Sequence, residues 1–444
     1  MKIADKTWMQ RSQPSFDFQP IKFDWRDLAI AIVLILCAGL ASYQGSLLTQ
    51  SVEQRDNIWF AGDSALVFTQ VSSPENDVYR RVRHPWFPIL APALVYLLKI
   101  TSGVDSYRAW SLVTAGVASL WIGMLFVLLR LIGCRQLDAT IFSILAGTSA
   151  SAIFGFVAPE CYPMSSITML IGLLFAAIVQ YRKLSMLWYA VATSLTLSMS
   201  VTNGFVGFAI AILNWSWKQS AKIIAGSLVL TAIPLAIYRL IRPFIFTQAA
   251  TVPAATGSTS GSEVANSVAS QSGGMLSLLK QLIAADAWFM WHPLDPIGSF
   301  LFHTMIMPAF KISHQEGDVY GMITQGSAPG SASWWGLIGV FLWIALLSLG
   351  VWGFFSVRWY LQLKIVLGLT LLQQIGFHTL FGDETFLYSL HFVPLLIMLT
   401  ALSTLSRFRS LALVLSCLLI VCMGVNNLGQ FQKALEYLHN YLSS

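Results

Sequence analysis

The segment 28–48, LAIAIVLILCAGLASYQGSLL, carries no charged side chain and follows a polar N-terminal segment. A helix needs about 20 apolar residues to cross the hydrocarbon core of a bilayer, and this run has that length. Similar runs recur along the chain, in which 56% of the residues are hydrophobic and only 10% are charged. A soluble protein needs far fewer apolar residues than this. The sequence therefore predicts an all-α, polytopic transmembrane protein.

We predict about eleven spans. They are Leu28–Leu48, Ala109–Ile132, Ala139–Val157, Met164–Tyr181, Ser185–Ser200, Phe205–Trp217, Ala221–Leu240, Trp334–Phe355, Leu363–Phe381, Leu387–Leu402 and Leu411–Val425. The pair around Asn203 is short, and both two separate spans and one kinked hairpin stay open. Trp86–Ile100 contains two prolines and reaches only about 22 Å as a helix, short of a bilayer core of about 30 Å. We expect it to lie on the surface or to be re-entrant.

The Lys and Arg residues indicate the orientation of the spans. With Trp86–Ile100 outside the membrane, the N-terminal tail and the short cation-rich loops fall on one side, and most acids fall on the other. Short basic loops mark the cytoplasm. The predicted regions are a cytoplasmic tail (1–27), a membrane module (28–240) with an outer loop (49–108), a long, partly flexible outer loop (241–333), C-terminal membrane helices (334–425) and an interfacial tail (426–444).

The first outer loop holds the strongest candidates for chemistry. Asp63, in FAGDSALVF, is either the N-cap of a short helix or a carboxylate that accepts a proton. Further along are four basic side chains, and guanidinium groups match the oxygens of a phosphate. Binding of lipid headgroups is the alternative for this cluster. Its members are Arg80, Arg81, Arg83 and His84.

Other candidates lie near the same predicted side of the membrane. Glu160, in APECYP, ends a predicted span, and Arg239 and Arg242 end another, where they either meet a phosphate or extend to the interface. A substrate-binding group is predicted between two later spans and consists of Asp383, Glu384, Tyr388 and His391. No DxD or paired-histidine spacing favours a metal site, although a divalent cation stays an open alternative. No nucleotide-binding loop is present, and we expect no nucleic-acid partner.

The order of these features resembles the GT-C superfamily of integral-membrane glycosyltransferases, which includes protein O-mannosyltransferases and lipid A aminoarabinose transferases. The similar features are a first span, an outer loop with an acid (AGDSALVF), a His-Pro strip opening an amphiphilic helix (RHPWFPILAPALVYLLK) and a later span ending near an acid (FVAPECYP). They fall within residues 25–240. The chain differs at Ser64, where many members have a second acid, and at Trp86, where the strip has a second proline.

The resemblance implies that Asp63 is the general base and Glu160 a second acid of the site. It implies a transferase that moves a sugar, with inversion, from a polyprenyl-phosphate donor to a hydroxyl of a lipid, glycan or protein. We expect a bacterial inner membrane protein whose site faces the periplasm or exterior, with no cofactor assigned. The alternatives are a secondary transporter or lipid flippase, and a polysaccharide polymerase or ligase.

Overall fold

A computed structural model of the protein describes residues 23–54, 57–73, 83–245, 294–315, 319–381 and 384–443. Its first twelve segments of regular structure end before the long loop. They are α1 (Trp25–Leu48), a 3₁₀ turn (Gln50–Gln54), α2 (Ser64–Ser72), α3 (Phe87–Ser102), α4 (Ser106–Leu131), α5 (Gln136–Gly147), α6 (Ala150–Gly155), α7 (Tyr162–Ile178), α8 (Met186–Met199), a 3₁₀ turn (Val201–Asn203), α9 (Gly204–Asn214) and α10 (Trp217–Ile245).

The second half adds one small sheet to the helices. Its elements are α11 (Leu294–Gly298), a π-helical turn (Ser299–His303), β1 (Lys311–Gln315), β2 (Val319–Ile323), α12 (Trp334–Ser356), α13 (Leu361–Phe381), a 3₁₀ turn (Thr385–His391), α14 (Phe392–Ala401), a further 3₁₀ turn (Leu402–Leu405) and α15 (Arg409–Ser443). The two strands pair antiparallel, with Ser313 opposite Gly321. This hairpin is the exception to the predicted all-α fold within the described residues.

Seven segments of the described chain are long and apolar enough to cross a membrane, which supports the class of polytopic α-helical membrane protein. They are 25–48, 106–131, 217–241, 334–356, 361–380, 385–405 and 409–441. The first is bounded by a capping box in which Asp24 accepts from the backbone of Asp27. The predicted count of eleven stays a prediction, because the other apolar helices are shorter than a bilayer core.

The region around Asn203 forms a helical hairpin. α8 and α9 are separated by a 3₁₀ turn over Val201–Asn203. Gly204 packs on Leu197 and Gly207 on Thr193, so the two helices run antiparallel. A Cβ atom on Gly207 would lie 2.8 Å from the backbone Cα of Thr193, which explains the glycine at this close crossing. The structure thus has two short antiparallel helices joined by a turn. Whether they form two spans or one kinked hairpin in the membrane stays open.

Two ion pairs join elements at one end of the bundle, which we call the Arg130 end. Arg130 Nε donates to Asp27 over 2.7 Å, linking the end of α4 to the start of α1. Arg409 Nε donates to Asp138 over 3.0 Å, linking α15 to α5. The charge pattern predicts all four residues on the cytoplasmic side, and the structure brings them to one end.

The last helix continues beyond the predicted end of the eleventh span. α15 runs without interruption from Arg409 to Ser443. Phe431 and Leu438 of its final turns are buried in a cluster with residues from the first outer loop. The predicted tail 426–444 is thus the end of a long helix that packs on the far end of the bundle, and its place at a membrane interface stays a prediction.

Candidate functional site

The loop before Asp63 has an unusual backbone. Phe60 and Ala61 adopt left-handed conformations with φ of 50° and 56°, and Asn57 has φ of 63°. Side chains with a Cβ atom rarely occupy this region, and strained backbone concentrates at functional sites. The loop closes on itself, because Asn57 N donates to Gly62 O over 2.7 Å. This closure fixes the position of Asp63, which follows Gly62 directly in the chain.

Asp63 occupies the N-cap position of α2, but its side chain makes no capping hydrogen bond with that helix. The simple N-cap interpretation of the sequence therefore does not explain the carboxylate. The next residue, Ser64, is fully buried and donates from Oγ to Glu160 Oε1 over 3.3 Å. The two acids predicted for catalysis thus belong to chain segments in direct contact.

Glu160 lies in the turn between α6 and α7 and is 4% exposed. The backbone of Gly62 passes so close that a Cβ atom there would collide with Glu160 Oε1 and lie 2.9 Å from Trp59 O. Glycine is the residue type that permits such an approach. The adjoining cavity, which Glu160 and Tyr162 line, has a volume of about 20 Å³, enough for about one water molecule.

Aromatic rings hold the Asp63 loop against the bundle. Phe60 lies 5.4 Å from Phe154 of α6 and 5.3 Å from Phe386 of the turn before α14, with all distances between ring centroids. Trp59 Nε1 donates to Phe154 O over 3.1 Å, which anchors the indole ring. We call the end of the bundle that carries this cluster, Asp63 and Glu160 the Glu160 end.

Glu384 of the predicted substrate group also lies at the Glu160 end. Its buried carboxylate accepts hydrogen bonds from Thr324 N over 2.9 Å, from Thr324 Oγ1 and from Gln325 N over 3.1 Å. Burial raises the pKa of Glu384, although these hydrogen bonds act in the opposite direction. Next to this contact, Met322 N donates to Ile58 O over 3.1 Å. Glu384 therefore holds the hairpin beside the Asp63 loop. Its neighbour in the predicted group, Asp383, lies outside the described residues.

The predicted basic cluster divides into different roles. Arg83 is exposed, whereas His84 is buried, with Nδ1 2.6 Å from Met199 O and Nε2 3.3 Å from Cys161 Sγ. These contacts make His84 a link between the segment before α3, the start of α7 and the end of α8. Its contact with a phosphate stays a prediction. Arg80 and Arg81 lie outside the described residues. Arg239 is exposed on α10, and the side chain of Arg242 is outside the described part.

Tyr388 and His391 lie in the bundle interior with three residues that the sequence did not single out, Tyr162, Gln374 and His378. Tyr162 lies 5.0 Å from Tyr388 and 6.0 Å from His391, and His378 lies 4.7 Å from Tyr388, between ring centroids. Gln374 is one turn before His378 on α13. The available signal was composition, because this helix has the lowest mean hydropathy of the seven candidate spans, 1.2, and ionisable residues inside a span are a sign of function.

Among the described residues, no group of three or more His, Cys, Asp or Glu side chains could hold a metal ion. Comparison with known proteins identifies no family: no family model matches the chain, and no curated protein matches its sequence. The resemblance to membrane glycosyltransferases therefore rests on the residues themselves.

Proposed function

We propose that the protein is a membrane glycosyltransferase that moves a sugar from a polyprenyl-phosphate donor to an acceptor hydroxyl. The acceptor is a lipid, a glycan or a protein. In the proposed setting, the protein lies in a bacterial inner membrane, and the Glu160 end faces the periplasm or exterior.

The observation that carries this proposal is the contact between the Asp63 loop and Glu160. Asp63 follows a strained loop, and Glu160 lies in a buried turn. The two acids are about 100 positions apart in the chain, yet both lie at one end of the bundle. The ion pairs of the Arg130 end lie at the opposite end of α1 and α4. A carboxylate at such a site suits the removal of a proton from a hydroxyl group.

The proposed reaction is a single displacement at the anomeric carbon. The acceptor hydroxyl loses its proton to Asp63 and forms a bond to this carbon from one face. The bond from the carbon to the phosphate oxygen breaks on the other face, and polyprenyl phosphate leaves with the electron pair. In this proposal the basic strip, Arg80, Arg81 and Arg83, offsets the charge that develops on the phosphate. Glu160 orients the Asp63 loop through Ser64.

An apolar cavity gives the donor lipid a place. Its volume is about 330 Å³, and it lies between α1, α4, α5, α6 and α15. Cys37, which lines it, is exposed on the bundle surface, while Phe431 at its other side contacts Trp59. The cavity thus lies between the exposed surface of α1 and the cluster under the Asp63 loop. Part of an isoprenoid chain fits a cavity of this size and lining.

One feature favours a transporter as the second candidate. The predicted third span is broken at Thr148–Ser149 into α5 and α6, and discontinuous helices are typical of transporter binding sites. Ser149 caps α6 through its side chain. A transporter moves its substrate across the membrane unchanged, whereas a transferase releases free polyprenyl phosphate.

The test uses the purified full chain in detergent with a panel of radiolabelled polyprenyl-phosphate sugars and a membrane lipid extract as acceptor. We expect label to leave at least one donor and polyprenyl phosphate to accumulate in equal amount. If every donor in the panel stays intact and a donor is taken up into proteoliposomes, the result would contradict the transferase and support the transporter.

A further inference from the structure

The interior of the Glu160 end contains polar side chains that no group in the described part of the chain satisfies. Within that part, both ring nitrogens of His378 and both of His391 are buried without a hydrogen-bond partner, and so are both amide atoms of Gln374. Gln374 is fully buried, and the two histidines are 3% and 2% exposed. Leaving buried polar groups unpaired costs about 1–3 kcal/mol each, so such a group needs an explanation.

Their positions place these groups in one site. Gln374 and His378 are four residues apart on α13 and share a face of that helix. The ring of His378 lies 4.9 Å from Phe392 at the start of α14, directly after His391. Tyr162, which also lines the small cavity beside Glu160, lies 6.0 Å from His391. The site therefore borders the space next to the proposed catalytic loop.

The chemistry of the site selects an uncharged ligand that both donates and accepts hydrogen bonds. In the described interior no carboxylate or cation bonds to either imidazole, and such surroundings favour their neutral forms. A neutral imidazole has one donor and one acceptor, and an amide group has two donors and an acceptor oxygen. A phosphate dianion only accepts hydrogen bonds, so it leaves the acceptor atoms of the imidazoles and of the amide unpaired. A hydroxyl group satisfies both kinds of partner.

The geometry points to a carbohydrate as the source of the hydroxyl groups: we propose that Gln374, His378 and His391 bind the hydroxyls of a sugar ring. The rings of Tyr162 and Tyr388 provide apolar faces for the C–H groups of the sugar. Tyr388 is the half-buried member of the set and lies over His378. In this proposal its side chain rotates to admit the sugar. This inference rests on the proposed function and assigns the sugar-binding part of its site.

The experiment measures binding of methyl glycosides of glucose, galactose, mannose and xylose to the full-length protein by saturation-transfer NMR. We expect at least one of them to bind with Kd on the order of 1 mM, the range of weak single-site ligands. His378→Phe and Gln374→Leu raise that Kd at least tenfold. His439→Phe, which changes an exposed histidine of α15, leaves it unchanged.

Thermal unfolding separates this site from a water-filled structural one. Without a glycoside, the Tm of both apolar variants should equal or exceed that of the wild type, because the removed groups lack partners. A lower Tm for both variants, with no glycoside bound to the wild type, would assign the groups to fixed water molecules and overturn the inference. The inference would also be overturned if the wild type binds a glycoside and both His378→Phe and Gln374→Leu leave that binding unchanged. If one variant does not fold, the other decides whether binding depends on the site, and absence of glycoside binding by the wild type overturns the inference in either case.

The inference and the proposed function fail separately. If sugar transfer depends on Asp63 but glycoside binding does not change in His378→Phe and Gln374→Leu, only the inference is refuted. Glycoside binding that depends on both residues, without transfer from any polyprenyl-phosphate sugar, refutes only the transferase.

Discussion

Ser64 Oγ lies 3.3 Å from Glu160 Oε1, and this hydrogen bond joins the first outer loop to the turn between α6 and α7. Ser64 stands beside Asp63, so the bond fixes the proposed general base relative to the helix bundle. A serine here in place of a second acid removes a charge that would repel Glu160.

The close approach of Gly62 to Glu160 can be tested by adding one methyl group. Gly62→Ala places a Cβ atom against Glu160 Oε1 and Trp59 O, so the loop must move. We expect sugar transfer to fall about 100-fold, since a displacement of about 1 Å can cost that much. Gly116→Ala is the matched control, because nothing lies within 4 Å of its Cβ position. Equal activity in both variants would show that the loop position is unimportant.

The ion pair at the Arg130 end should contribute strongly to stability. Arg130→Met leaves the Asp27 carboxylate, whose side chain is 1% exposed, without its partner. Breaking a buried pair from one side typically costs about 3–5 kcal/mol. In the control Arg108→Met, the lost pair with Asp105 is exposed, and such pairs contribute about 0–1 kcal/mol.

Denaturant titration of both variants in detergent measures the difference. Equal losses of unfolding free energy in Arg130→Met and Arg108→Met would contradict the expected stabilisation by the buried pair of Arg130 and Asp27.

Glu384 should make stability depend on pH. Burial raises its pKa above the ordinary value of 4.5, so the folded protein favours the protonated form. Its stabilising contribution is complete below the unfolded pKa and is lost as the pH rises through the raised folded pKa. Glu384→Gln removes this titration, so its Tm relative to the wild type should increase as the pH rises above the ordinary value of 4.5.

The control for this series is Glu436→Gln, which changes an exposed carboxylate of α15. A Tm difference between Glu384→Gln and the wild type that stays constant with pH would contradict the raised pKa.

The orientation of the bundle is tested by labelling. In a cysteine-free background, Ser260→Cys should react with an impermeant thiol reagent added to intact cells, and Lys183→Cys should react only after the membrane is opened. The physical reason is that cation-rich loops such as the one at Lys183 stay in the cytoplasm. Labelling of Lys183→Cys in intact cells would reverse the predicted orientation.

The sequence predicts the helices better than it predicts the site. Apolar runs such as Leu28–Leu48 depend on local composition, and the structure contains a helix at each of them. The break at Thr148–Ser149 was not predicted, because it depends on the side chain of Ser149 and on contacts of Ser151 with Thr304. Long-range contacts of this kind leave no periodic signal.

The site illustrates the same limit. The composition of the first outer loop pointed to Asp63, and the position of Glu160 at the end of a predicted span pointed to that acid. The contact of His84 with Met199 was not predicted, because the two residues are more than a hundred positions apart in the chain. Gln374 and His378 were missed, although a polar pair inside an apolar run was visible in the sequence.

The most direct test of the proposed transferase is the rate of sugar transfer by Asp63→Asn. The control is Asp105→Asn, which changes another N-cap aspartate of the described chain, one that does cap its helix. Asparagine keeps the size of the side chain but cannot act as a base, so we expect transfer by Asp63→Asn to fall about 10²–10⁴-fold while donor binding and Tm stay unchanged. Asp105→Asn should retain the wild-type rate. Near-normal turnover in a folded Asp63→Asn protein would contradict the role of Asp63 as the general base.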